Sequence, residues 1–70
     1  MTKTNKQLVK LFTTEQLQIL RNMYKTYVKQ PLYYTTLLQT IRNMLYENYQ
    51  YCNYKMCNKV YTLLKKDYQS

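Results

Sequence analysis

Residues 53–67 read NYKMCNKVYTLLKKD, and this stretch decides the fold. At about 100° of rotation per residue, Lys55, Lys59, Thr62 and Lys66 fall within roughly 60° of one another, with Asn58 and Lys65 just beside them. The opposite side carries Cys57, Val60, Tyr61, Leu64 and Tyr68, with Met56 and Leu63 at its edge. That division has the period of a helix, not the two-residue period of a strand. Asn53 has the chemistry of an N-cap. The spacing therefore predicts a helix from about Asn53 to Asp67, with an apolar flank turned inward and a lysine-lined flank turned outward.

Toward the amino terminus, residues 47–51 break the period, and Asn48 is the best substitute there for a glycine in the left-handed C-cap conformation. The helix before it is predicted to begin between Leu32 and Thr35 and to end near Tyr46, burying Tyr34, Leu37, Leu38, Ile41, Met44 and Leu45. Pro31 ends the preceding helix because its ring denies Gln30 the α region, so residues 30–33 form the connection. That second helix spans about Thr14 to Lys29, with Leu17, Leu20, Met23, Tyr24, Tyr27 and Val28 in one stripe. Thr13 with Gln16 has the form of a capping box, and Thr4 with Gln7 repeats it ahead of a short helix carrying Leu8, Leu11 and Phe12. Whether these first two segments fuse is left open by the sequence. No stretch alternates as a strand does. The expected fold is all-α: a compact three- or four-helix bundle, helix-turn-helix-like, in which residues 1–12 form a basic amino-terminal arm or short helix and residues 13–70 the helical domain.

Composition narrows function by exclusion. A chain of 70 residues and 8.7 kDa buries only about 60% of the surface its unfolded form exposes, enough for one modest core and not for a deep catalytic cleft. The absence of glycine excludes the Gly-rich loops that cradle phosphates, which need backbone without a Cβ beside the anion. With no histidine, two cysteines and three carboxylates, neither a tetrahedral zinc site nor the usual general-base arrangement can be assembled. A non-enzymatic chain without metal or cofactor is expected. Abundant Asn, Lys and Tyr beside missing Gly and Ala fit an AT-rich coding sequence, such as that of a virus, phage or other mobile element.

Cys52 and Cys57, if both helical, stand about 140° apart around the axis, so a disulfide between them does not close. They are expected to be small buried thiols. Without a disulfide framework or a recognisable signal peptide, an intracellular setting, cytoplasm or nucleus, is the expectation. The longest uncharged run, residues 30–41, is too short and too polar to span a bilayer, so no membrane partner is expected.

A formal charge of +8 and a pI near 9.6 point to an anionic partner. The plainer role of such charge is to keep a Tyr- and Leu-rich surface dissolved. The major groove of duplex DNA admits one α-helix, and a helix showing Lys, Asn, Lys, Thr and Lys outward while its back is buried is built to enter it. Lys55, Lys59 and Lys66 would meet phosphates, or Lys59 a guanine. Asn58 would pair with adenine, and Thr62 would touch a thymine methyl or a phosphate. Arg21 and Lys25 lie one turn apart on the second helix beside Gln18 and Asn22. Lys3, Lys6 and Lys10 make a basic arm or first turn. DNA is the expected partner, with RNA the alternative nucleic acid. Outer-face lysines are ordinarily just solvated, and Lys65 and Lys66 also suit the negative end of the helix dipole.

The segment FTTEQLQILRNMY (residues 12–24) resembles the first helix of homeodomains: the leading aromatic, the Gln-Leu pair, the leucine three residues later and the aromatic after four more are in step. The resemblance covers thirteen residues of seventy. It implies a three-helix DNA-binding domain preceded by a basic arm, with Asn58 on adenine and Lys59 or Thr62 on the backbone. The chain departs from the family in its last helix, which lacks the Trp-Phe pair and the following Arg. Asn58 reaches the family's adenine-reading position only with an insertion of about three residues.

Ten tyrosines support a different reading, a viral or phage-type accessory protein that binds and modulates a host protein. Tyr46, Tyr49, Tyr51 and Tyr54 crowd one junction, and Arg42, with Tyr33 and Tyr34, would extend the patch; Tyr and Arg dominate binding hot spots. The same side chains would serve as generic core filler, or would stack on single-stranded bases. A membrane-surface role for the last helix is disfavoured by the Tyr and Cys on its apolar side. The alternating spacing of Tyr54, Cys57, Tyr61, Leu64 and Tyr68 resembles a coiled-coil seam and makes a homodimer a candidate assembly.

Overall fold

The computed structural model describes residues 6–69. Among these the chain forms four α-helices, α1 (Lys6–Leu11), α2 (Thr14–Lys29), α3 (Tyr34–Tyr49) and α4 (Tyr54–Gln69), with one 3₁₀ turn at Pro31–Tyr33 and no strand. The all-α bundle expected from the periodicity is the fold observed. Thr4, the first half of the earlier capping signature, lies outside the described residues.

Local chemistry fixes the helix ends. Thr13 takes an extended conformation (φ −71°, ψ 165°) and so separates α1 from α2. Its hydroxyl accepts from the Gln16 amide at 3.1 Å, and the Gln16 side chain accepts from the Thr13 amide at 3.0 Å, so both arms of the capping box are present. At the far end of α2, Gln30 donates its N–H to Thr26 and Tyr27, and Pro31 opens the 3₁₀ turn that leads directly into α3. Asn53 caps α4 by accepting from the Met56 amide at 2.8 Å. That helix continues two residues past Asp67, to Gln69.

The end of α3 corrects the sequence reading. The helix does not stop near Tyr46 but runs to Tyr49, and the left-handed residue is Gln50 (φ 57°, ψ 25°), not Asn48. Asn48 stays helical because its amide is engaged elsewhere. It donates to the Leu11 carbonyl at 3.1 Å and to Gln16 Oε1 at 2.9 Å, and accepts from Gln16 Nε2 at 3.1 Å. The pair ties α3 to the α1–α2 junction.

One apolar cluster draws on every helix: Leu8 from α1, Leu17, Leu20 and Tyr24 from α2, Leu37, Ile41, Met44 and Leu45 from α3, and Cys57, Val60, Leu63 and Leu64 from α4, with Phe12 between the first two. Each fully buried leucine or isoleucine contributes roughly 1.5–3 kcal/mol. The Cα radius of gyration, 11.2 Å, matches the value of about 11 Å expected for a well-packed chain of this length. Two expected core positions are open to solvent: Val28 is 46% exposed and Tyr68 46%. At the last turn of α2 the packing partners, Tyr34 and Tyr61, lie on the Tyr27 side, which leaves Val28 uncovered. Leu63 is fully within the core, not at its edge.

Five tyrosines fill the end of the bundle. Tyr24 packs on Tyr27 and Tyr68 with ring centroids 5.5 and 5.2 Å apart, Tyr34 meets Tyr61 edge-on at 5.4 Å, and the hydroxyls of Tyr27 and Tyr61 are 3.0 Å apart. Edge-on and tilted contacts of this kind are the favoured aromatic geometries. Their hydroxyl pair also satisfies polar groups that burial would otherwise strand.

Candidate nucleic-acid interface

The geometry of α4 follows from its division into two flanks. Cys57, Val60, Leu63 and Leu64 are in the core, while Lys55, Lys59, Thr62, Lys65 and Lys66 are exposed and Asn58 is half-buried. Among the described residues the ion pair that forms is Arg21 with Asp67, so no lysine of this ridge is neutralised by an acid. The Thr62 hydroxyl donates to the Asn58 carbonyl at 2.9 Å. That leaves Thr62 better suited to an apolar contact through its methyl than to donating to a phosphate.

The ridge is not confined to α4. Lys10 and Lys59 line one shallow depression with Gln7 and Leu11, and a broader one beside it runs along Lys55, Asn58, Lys59, Thr62 and Lys66. Lys6, one helical turn before Lys10, lies on the same side of α1 and is exposed. Lys3 lies outside the described residues. Lys10, Lys55, Lys59 and Lys66 thus border one continuous face, with exposed Lys6 one turn before Lys10 and exposed Lys65 next to Lys66.

Arg21 and Lys25 stand elsewhere. They line a separate cleft of about 390 Å³ between α2 and α4, together with Gln18, Tyr24, Leu64, Asp67 and Tyr68. Arg21 Nε donates to Asp67 Oδ2 at 3.0 Å, with the carboxylate side chain 4% exposed and the guanidinium side chain 30% exposed. This pair joins α2 to α4 and is part of the packing. The sequence reading missed it, although a signal was present: Asp67 follows Leu63 and Leu64 by four and three residues, which puts it on the inward flank of α4.

The tyrosine junction divides too. Tyr46, Tyr51 and Tyr54 are 63%, 58% and 78% exposed, and Arg42 is exposed. Tyr49, at 44%, is partly committed: its hydroxyl lies 2.8 Å from the Leu11 carbonyl and 3.2 Å from that of Lys10. The Tyr51 hydroxyl accepts from Asn53 Nδ2 at 2.9 Å. Along the row Tyr54, Cys57, Tyr61, Leu64 and Tyr68, Cys57 and Leu64 are buried and Tyr61 half-buried within the chain, while Tyr54 and Tyr68 at its two ends are exposed.

The thiols also differ from expectation. Cys52 precedes α4 and is only half-buried, so the helical rotation that would separate the two cysteines does not apply; their Sγ atoms are 3.2 Å apart. Burial, reinforced by the contact with Cys52, pushes the Cys57 thiol up to about 11. No described helix is long and apolar enough to cross a membrane. In comparisons with protein-family models, curated proteins and solved structures, nothing matches the chain.

Proposed function

We propose that this chain is a small DNA-binding regulatory protein that lays α4 in the major groove of duplex DNA. The observation that carries the reading is the unneutralised lysine face of α4, continued by Lys10 of α1, on a helix whose other flank is locked into the core. Lys55, Lys59 and Lys66 contact phosphates there, Lys6 and Lys10 extend the backbone contact, Asn58 reads adenine and Thr62 meets a thymine methyl. Arg21 and Lys25 contribute to the field and lie outside the ridge. The four-residue connection between α3 and α4, Gln50 to Asn53, supports a helix-turn-helix arrangement, and three long helices after a short basic segment follow the layout that the homeodomain resemblance implies. An intracellular site of action goes with this reading.

Five phosphate contacts give a salt slope of about −4.5, a loss of roughly 500-fold in affinity between low and physiological salt. The test is binding to duplex DNA, single-stranded DNA and RNA across a salt series, with Lys55→Glu/Lys59→Glu as the control. Nanomolar duplex binding that collapses with salt and with the double substitution supports the proposal; no binding at low salt refutes it. In that event Tyr46, Tyr51 and Tyr54, exposed together at one junction with Arg42 nearby, favour a second reading, a host-protein-binding accessory factor.

A further inference from the structure

Between α3 and the start of α4 lies a second cleft, of about 390 Å³, whose wall includes Arg42, Gln39, Tyr54, Asn58 and both cysteines. Three features of it converge. The two sulfurs are already 3.2 Å apart, so a bond of about 2.05 Å needs an approach of only about 1 Å, well within side-chain rotation. The two thiols are unequal: Cys52 is half-buried at the mouth, Cys57 buried behind it and harder to deprotonate. A guanidinium, that of Arg42, lines the same cleft and favours the anionic form of Cys57 as it approaches.

We propose that Cys52 and Cys57 form a thiol–disulfide exchange site that takes an anionic low-molecular-weight disulfide, such as glutathione disulfide, and is converted by it to an intramolecular disulfide. The Cys52 thiolate, the accessible member, attacks one sulfur of the bound disulfide. A Cys52–glutathionyl bond forms, the disulfide breaks and one glutathione thiolate leaves. Arg42 meets a carboxylate of the incoming molecule. Cys57 then loses its proton to solvent and attacks the Cys52 sulfur, expelling the second glutathione. Two protein thiols are oxidised by two electrons and one glutathione disulfide is reduced to two thiols. The product staples the connection after α3 to the first turn of α4. This inference stands apart from the nucleic-acid reading and survives its failure.

The test uses the full reduced chain with glutathione disulfide at mildly alkaline pH, followed by intact mass. A transient single glutathionyl adduct giving way to a form two hydrogens lighter than the starting chain is expected, with ring closure at least about tenfold faster in the folded chain than in urea, since folding raises the local thiol concentration. Cys57→Ser is expected to stop at a stable adduct on Cys52, and Cys52→Ser to remain unmodified while folded. Arg42→Glu is expected to slow the first step several-fold with glutathione disulfide and not with the neutral bis(2-hydroxyethyl) disulfide. A persistent adduct or a doubly modified wild-type chain overturns the proposal, as does ring closure no faster folded than unfolded. An equal effect of Arg42→Glu on both reagents overturns the assigned ligand class.

Discussion

Removing the Arg21 guanidinium and removing the Asp67 carboxylate should cost very different amounts. The carboxylate side chain is 4% exposed and the guanidinium side chain 30%. In Asp67→Asn the arginine, 30% exposed, loses the carboxylate 3.0 Å away and can turn to water, so the loss is that of one charge-assisted hydrogen bond at a partly solvated site, about 1–2 kcal/mol. In Arg21→Met the aliphatic volume is largely kept while a buried carboxylate loses the guanidinium paired with it at 3.0 Å, a change that typically costs about 3–5 kcal/mol. At about 4–8 °C per kcal/mol for a domain of this size, that corresponds to a fall of roughly 12–40 °C in Tm, against about 4–16 °C for Asp67→Asn. Urea melts of both single variants, with the double variant Arg21→Met/Asp67→Asn closing the cycle, measure this. If the two single variants lose the same stability, or the cycle shows no coupling between the two positions, the ion pair is not the element that joins α2 to α4.

Three further outcomes are expected. Gln50→Gly should stabilise the chain by about 0.5–1 kcal/mol in a urea melt, because Gln50 holds a φ of 57° that costs any residue with a Cβ more than glycine. Ile41→Ala, at a site with no exposure, should cost about 2–5 kcal/mol, and the cavity it leaves should be read as a lowered urea midpoint at unchanged slope. In alkali, burial raises Cys57 to about 11, burial and Tyr27 raise Tyr24, and the hydrogen bond shared with Tyr27, together with burial, raises Tyr61. The folded state therefore prefers the protonated forms. Their contribution is complete below the unfolded values of about 9–10 and is lost as pH rises through the folded ones, so the urea midpoint should fall between about pH 9 and pH 11; an unchanged midpoint would contradict it.

The bundle was legible where two independent signals agreed. Thr13 with Gln16 marked the start of α2, Pro31 its end, and the lysine and apolar flanks of α4 were separable from spacing alone, because those are local rules acting within one turn of helix. What escaped depended on partners distant in sequence. Asn48 looked like a terminator until its contacts with Leu11 and Gln16 kept it helical, 37 and 32 residues away respectively. Asp67 looked like a helix end and proved to be the buried partner of Arg21, 46 residues earlier. The cysteines were misjudged for a smaller reason: their separation was worked for two helical residues, whereas Cys52 precedes a helix that begins at Tyr54. On the candidate interface, the ridge was visible in outline, whereas its continuation through Lys10 and the detachment of Arg21 and Lys25 from it were set by how α1 and α2 dock.

The clasp made by Asn48 and Tyr49 has a consequence for the order in which the molecule comes apart. A six-residue helix has too few internal hydrogen bonds to persist alone in water, so α1 survives through Leu8 in the core and through two α3 side chains that accommodate its last carbonyls. Breaking that latch frees only the first segment, and the three longer helices keep nearly all their mutual contacts. The amino-terminal turn should therefore be the first part of the molecule to open, with Lys6 and Lys10 carried along, and its amides should exchange with solvent ahead of those of the other helices.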